Sequence, residues 1–168
     1  LNGGIPVWID LRYPDYSIPW DEVNDKISDR TKMIIINHPH NPSGASISEN
    51  DITQLIEATR DTNIIVLSDE VYEHIIFDER EHLSVLKYPE LAERSMAVFS
   101  FGKTFHLTGW KMGYCIAPEN LMVEFRRVHQ FMVFCANAPI QYALADYMQN
   151  KNYLELPDFF QQKRDHFL

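Results

Sequence analysis

Three polar clusters in this chain each follow a short apolar run, and between them they hold the groups that carbonyl chemistry requires. The first is Asn37-His38-Pro39-His40-Asn41-Pro42-Ser43-Gly44, the second Asp69-Glu70-Val71-Tyr72 and the third Gly102-Lys103-Thr104. A lysine amine can condense with the aldehyde of a bound cofactor. If that cofactor has a pyridine ring, the ring nitrogen needs a carboxylate beside it to stay protonated and act as an electron sink. A phenolic oxygen on the ring needs neutral donors, and a phosphate group needs hydroxyls and cations. Lys103, Asp69, Tyr72 with Asn41, and Ser100 with Lys111 supply these in turn.

The same residues admit a nucleotide-binding reading. Ala97-Val98-Phe99-Ser100-Phe101-Gly102-Lys103-Thr104 fits a relaxed P-loop, with Ala in the first glycine position, and Ile64–Asp69 resembles a strand that holds magnesium. A phosphate cradle turns backbone N–H groups inward, which glycine permits. Val98, Phe99 and Phe101 are strand formers instead. The acidic strand also precedes the lysine motif, the reverse of the usual P-loop order.

The elements that must position these clusters alternate along the chain. Strands are expected at Val7–Leu11, Met33–Asn37, Ile64–Ser68, Ala97–Phe101 and Met112–Ala117, each a short apolar run bounded by polar or turn residues. Helices are expected at Trp20–Ile27, Ser48–Arg60, Leu121–Phe131 and Pro139–Met148, with a further helical pattern from Leu156 to Leu168. Ser48 with Asp51 makes an approximate capping box, and Asn137 is a second N-cap candidate. This alternation predicts an α/β layered fold with a mostly parallel sheet. The short link from Phe101 to Met112 could instead return the chain antiparallel and make the sheet mixed. In such sheets ligands bind beyond the carboxyl ends of the strands, where all three clusters fall.

Composition bounds the class. The chain has 168 residues, 45% hydrophobic and 23% charged, with 15 Lys+Arg against 24 Asp+Glu and a net charge of −9. That balance argues against a nucleic-acid surface or an acidic membrane surface. There is no apolar run long enough to span a bilayer and no signal peptide. Cys115 and Cys135 lie in unrelated contexts and are expected to be reduced, mostly buried thiols of a cytoplasmic protein. Both ends read as cut, so an internal fragment of a longer protein is expected.

Asn41-Pro42-Ser43-Gly44, Ser68-Asp69-Glu70-Val71-Tyr72-Glu73 and the segment from Ser100 to Tyr114, SFGKTFHLTGWKMGY, together resemble the signature of class I aminotransferases, fold-type I enzymes that use pyridoxal 5'-phosphate. The likeness runs through essentially the whole chain. Arg127–Phe131 and Leu156–Phe159 are most similar to the methionine and kynurenine branch. The resemblance implies that Lys103 bonds to the cofactor, that Asp69 pairs with the pyridine nitrogen, and that Asn41 and Tyr72 donate to the phenolic oxygen. Ser100 and Lys111 are implied at the phosphate. Lys111 stands where many members have an arginine, and a lysine offers a point charge rather than a two-pronged fork. Ser43 replaces the commoner threonine.

The fold so implied is a three-layer α/β/α sandwich with a mostly parallel mixed sheet. Residues 1–153 would be part of the large cofactor domain, and 154–168 would begin the helix leading to a C-terminal small domain. The implied activity moves an amino group from a methionine-like, aromatic or kynurenine-like amino acid to a 2-oxo acid, in a homodimer. A carbon–sulfur β-lyase using the same lysine, or an aminotransferase-like sensor domain of a transcription regulator, is the alternative.

Each residue also has a structural reading. Asp69 could cap a helix, Tyr72 could be a core aromatic, Asn41 a turn residue, and Ser100 a partner for backbone only. His38, His40, His106 and His129 lack metal spacing and are expected to serve packing or local hydrogen bonds. Trp110 is expected in a core or an interface, and Glu70, Glu73 and Asp78 on a solvated rim.

Overall fold

A computed structural model describes residues 3–168. The described residues open with a segment outside regular secondary structure, followed by α1 (Trp20–Lys26), β1 (Met33–Asn37), α2 (Glu49–Thr59) and β2 (Ile65–Asp69). Then come α3 (Pro89–Ala92), β3 (Ser95–Ser100), α4 (Phe101–Thr104), β4 (Gly113–Ile116), α5 (Glu119–Met132), α6 (Ala138–Asn150) and α7 (Leu156–Phe167).

The sheet has the order β1-β2-β3-β4. β1 pairs with β2 and β2 with β3 in parallel, while β4 returns antiparallel to β3. This is the mixed, mostly parallel α/β architecture expected. The register sets Asn37 opposite Asp69, Asp69 opposite Val98, and Ser100 opposite Gly113. The carboxyl ends of β1, β2 and β3 therefore lie side by side, and the three clusters leave from them.

The first expected strand is not formed. Val7–Leu11 pairs with no strand among the described residues, and the nearest ladder contact is the isolated bridge Arg12–Ser17. An apolar run becomes a strand only where a neighbour takes up its N–H and C=O groups, and here Val7 and Trp8 stay exposed. The third strand also ends one residue early. Phe101 is the first residue of α4 rather than the last of β3.

The helix starts follow their sequence signals. Ser48 Oγ accepts from Asp51 N–H at 3.2 Å while the Ser48 N–H donates to Asp51 Oδ2 at 2.8 Å, closing the capping box. Asn137 Oδ1 accepts from Ile140 N–H at 3.1 Å. α2 then lays Ile52 and Leu55 on Val66 of β2 and on Ala97 and Phe99 of β3, with Val85 and Leu91 closing the cluster. All seven are buried, and together they form the core of the described residues.

The opposite side is open. Ile35 of β1 is 67% exposed, Phe131 86% and Tyr142 79%. The three helices after β4 bury one residue among those described, Leu144. Cys115 is half-buried and Cys135 is exposed, which corrects the expectation that both would be mostly buried. No helix among the described residues is long and apolar enough to cross a membrane.

Candidate functional site

Asp69 closes β2, and its backbone is held from two sides. Its carbonyl oxygen accepts from His38 N–H at 3.0 Å and from Asn37 Nδ2 at 3.1 Å. Its carboxylate accepts from Val71 N–H at 3.3 Å, which starts the turn that carries Tyr72. Asn37 also accepts from Asn41 N–H at 2.9 Å, so the same side chain sets the start of the loop carrying Asn41. Asn41 Nδ2 then donates to the Tyr72 hydroxyl at 3.0 Å. Asn37 thus ties the first cluster to the second, a role that residue type and spacing did not single out.

Lys103 lies in the short helix α4 directly after β3. Its Nζ stands 5.5 Å from the centroid of the Tyr72 ring, close enough for a cation–π contact. The turn is braced by its neighbours. Leu107 N–H and Thr108 Oγ1 both donate to Gly102 O, at 3.0 and 3.2 Å, and Thr104 Oγ1 donates to Ser100 O at 3.1 Å. Gly102 is needed here because a Cβ would come within 2.9 Å of Thr108 Cα.

On one side of Lys103 lies a cavity of about 300 Å³ lined by Ser100, Gly102, Lys103, Thr108, Lys111, Met112 and Gly113. Lys111 reaches this lining from a left-handed backbone conformation, φ 55° and ψ 43°. A wider opening of about 730 Å³ lies along Gly102–Lys103 and His106–Trp110. Trp110 is 45% exposed, which sets aside the core half of the core-or-interface expectation.

Six residues were singled out from sequence, and they fall into two groups. Asp69, Asn41 and Tyr72 gather at the ends of β1 and β2. Ser100 and Lys111 share the smaller cavity. Lys103 touches both groups. A hydroxyl, an ammonium and close-packed glycine backbone suit an anion in the cavity, and a carboxylate with a hydrogen-bonded Asn–Tyr pair suits a protonated ring with a phenolic oxygen. The donor set therefore fits pyridoxal phosphate.

Behind this edge, the rim expectation fails for Glu70. Its side chain is completely buried among His82, Ser68 and Val85. Alternation along the strand turns Ser68 and Glu70 away from the face that Asp69 uses, and that alternation was the available signal. His38 is buried beside them, and its ring bonds to Ser68, thirty residues away, rather than to a local partner. Glu73 is partly buried. Burial pushes its carboxyl above the usual range, with the Glu70 charge adding and His82 opposing. Asp78 is exposed, as expected for a rim, and is gripped by Arg164 of α7 at 2.6 and 2.8 Å.

A mostly parallel sheet with a lysine at the end of its third strand and a carboxylate at the end of its second defines a cofactor-binding α/β domain. The family profile described as "Aminotransferase class I and II" matches residues 2–168, and the chain belongs to that family. Methionine aminotransferase of Escherichia coli is 48% identical over 98% of this chain, and kynurenine–oxoglutarate transaminase of Dictyostelium discoideum is 35% identical over all of it. In each case the match covers 43% of the relative, so the chain spans less than half the length of these curated relatives. Among solved structures, an E. coli protein with a methionine aminotransferase function superposes with a TM-score of 0.88 at 48% identity, covering 92% of this chain and 42% of that one. The aromatic aminotransferase of Pyrococcus horikoshii superposes with a TM-score of 0.83 at 30% identity, over 90% and 41%. The family is one of pyridoxal-phosphate enzymes.

Proposed function

We propose that this chain is the cofactor-holding part of an aminotransferase that moves an amino group from a methionine-like, aromatic or kynurenine-like amino acid to a 2-oxo acid. The observation that carries the reading is Lys103 at the joint of two donor groups: its Nζ lies 5.5 Å from the Tyr72 ring centroid, and the residue lines the cavity shared with Ser100 and Lys111. Relatives named for methionine and for kynurenine support the choice of amino donor.

When bound, pyridoxal phosphate supplies an electron sink for the charge left as the substrate's α C–H bond breaks. Lys103 Nζ would hold the cofactor before substrate arrives, and once free its amine would be the base that takes the substrate's α-proton. Asp69 keeps the ring nitrogen protonated, a fixed charge aimed at the place where charge develops. Asn41 and Tyr72 donate to the phenolic oxygen, and their mutual hydrogen bond sets the direction of both donors. Ser100 and Lys111 hold the phosphate. In this reading residues 1–153 belong to the large domain and 154–168 lead toward a small domain. The proposal includes a homodimer working in the cytoplasm, with the exposed apolar faces as candidate contact surfaces.

The test uses the full-length protein. Borohydride reduction in the presence of pyridoxal phosphate should fix the cofactor to the peptide containing Lys103, and labelling of another lysine overturns the assignment. With methionine and a 2-oxo acid acceptor, the product should be the 2-oxo acid of methionine. Pyruvate and a thiol released from a cysteine conjugate, without amino transfer, would make the protein a β-lyase instead.

A further inference from the structure

The residue next to Asp69 holds a second polar network, on the face of the sheet away from Lys103. Glu70 is 0% exposed, and its carboxylate receives donors from three parts of the chain. Ser68 Oγ lies 2.8 Å from Oε1, Val85 N–H donates to Oε1 at 3.2 Å, and His82 Nε2 lies 2.7 Å from Oε2. His38 Nε2 is 2.9 Å from Ser68 Oγ, and its ring stacks on that of His82 with centroids 5.2 Å apart.

The donor and acceptor roles follow by elimination. A carboxylate only accepts, so the single hydroxyl proton of Ser68 goes to Glu70. The His38–Ser68 contact must then be filled by a proton on His38 Nε2. His82 likewise donates through Nε2. The chain runs His38 Nε2–H to Ser68 O–H to Glu70, closed by His82 and Val85. His38 is neutral in this arrangement. Burial, reinforced by His82, holds its imidazole near 4 against the opposing pull of Glu70. For Glu70 burial opposes ionisation, but the hydrogen bond from His82 leads the effects that outweigh it, and the carboxyl lies below its ordinary value.

A buried carboxylate is costly unless paired and fully hydrogen-bonded. Packing alone does not call for one here, because the neighbouring core is built from Val66, Val85, Ala97 and Phe99. What the network does is join the ends of β1 and β2 to the turn at Val85. His38 N–H holds Asp69 O at 3.0 Å, Glu70 N–H holds Val98 O at 2.9 Å, and Glu73 N–H bonds Glu70 O at 3.0 Å at the turn carrying Tyr72. The buried side chains thus belong to the residues whose backbone groups flank Asp69 and begin the turn that carries Tyr72.

We propose that Glu70, with Ser68, His38 and His82, is a positioning network that aims Asp69, Asn41 and Tyr72 at the cofactor ring, so that it governs the orientation and affinity of bound pyridoxal phosphate as well as folding. The inference rests on the functional reading above. Loss of a charged acceptor matters most, because three donors then compete for an amide.

The test uses full-length Glu70→Gln and Ser68→Ala, the second removing one neutral hydroxyl while keeping the buried charge. Each is measured for its pyridoxal phosphate dissociation constant, for the visible circular dichroism of the bound cofactor, which reports ring tilt, and for apo-protein melting. Glu70→Gln should weaken cofactor binding about tenfold or more and Ser68→Ala about threefold to tenfold, the scales of a charged and a neutral hydrogen bond. Both should change the visible dichroism. Lowered melting with unchanged affinity and unchanged dichroism would make the network purely structural and overturn the proposal. If Glu70→Gln does not fold, Ser68→Ala decides by the same criteria. A wild-type protein that binds no pyridoxal phosphate would overturn the functional reading, and this inference with it.

Discussion

Lys111 offers the clearest separation of a chemical role from a conformational one. It lines the cavity shared with Lys103 and Ser100, and it does so at φ 55°, ψ 43°. A non-glycine residue in the left-handed region costs roughly 1–2 kcal/mol, so the position carries strain that a glycine would relieve. The side chain should therefore justify itself through its ammonium group. A hydrogen bond to a charged group contributes about 1.5–3 kcal/mol, which corresponds to about tenfold to a hundredfold in affinity. Lys111 is exposed, and solvent screening moves the expectation toward the lower end, about tenfold. Lys111→Ala and Lys111→Gly in the full-length protein should lose this affinity equally, since both remove the charge. Their stabilities should differ, with the glycine variant more stable than the alanine variant by about 1 kcal/mol. The assays are equilibrium dialysis with pyridoxal phosphate and denaturant unfolding of the apo-protein. An unchanged dissociation constant in Lys111→Ala refutes the phosphate role, and equal stabilities refute the argument from backbone strain.

Further outcomes follow from the same geometry. Asp69→Asn should lower turnover by about 100-fold to 1,000-fold with cofactor still partly bound, the scale of losing one preorganised electrostatic partner; near-normal turnover would make the carboxylate structural. Stability of the apo-protein should fall with pH because of His38. Its imidazole lies near 4 when folded against 6.5 for the free group, so the unfolded chain takes up a proton that the folded chain refuses. The loss starts as pH drops through 6.5, grows until about 4 and amounts to about 3 kcal/mol. The depressed Glu70 carboxyl adds to it in the same direction below its unfolded value. Melting followed from pH 7 to pH 4.5 checks this, and His38→Gln should flatten the slope. Gly113→Ala should destabilise the β3–β4 pair by about 1–3 kcal/mol, since its Cβ would lie 2.5 Å from Phe99 O; unaltered urea unfolding would contradict that contact.

The amino-acid sequence by itself determined the succession of α1, β1, α2 and β2 and the caps that start α2 and α6. Ser48, Asn137 and the short apolar runs act through neighbours a few residues away, so their signals are local and readable. Asn41, Asp69, Tyr72 and Lys103 stood out as candidates because they lie at or just past the ends of apolar runs, and parallel strands bring such positions to one edge whatever the loops between them do. Tertiary structure decided what depends on distant partners. Val7–Leu11 has the pattern of a strand but no neighbouring strand among the described residues to complete its hydrogen bonds, so it forms none and leaves Val7 and Trp8 exposed. β4 runs antiparallel because the braced turn at Gly102 and Thr108 reverses the chain within a dozen residues, too few for the crossover that a parallel return needs. Glu70 is the sharpest case. Its charge and its place in the chain suggest a solvated rim. The fold instead brings His82, Ser68 and Val85 around it and makes burial tolerable. Whether a carboxylate can be buried is settled by the donors that reach it, and those donors come from segments that only folding brings together.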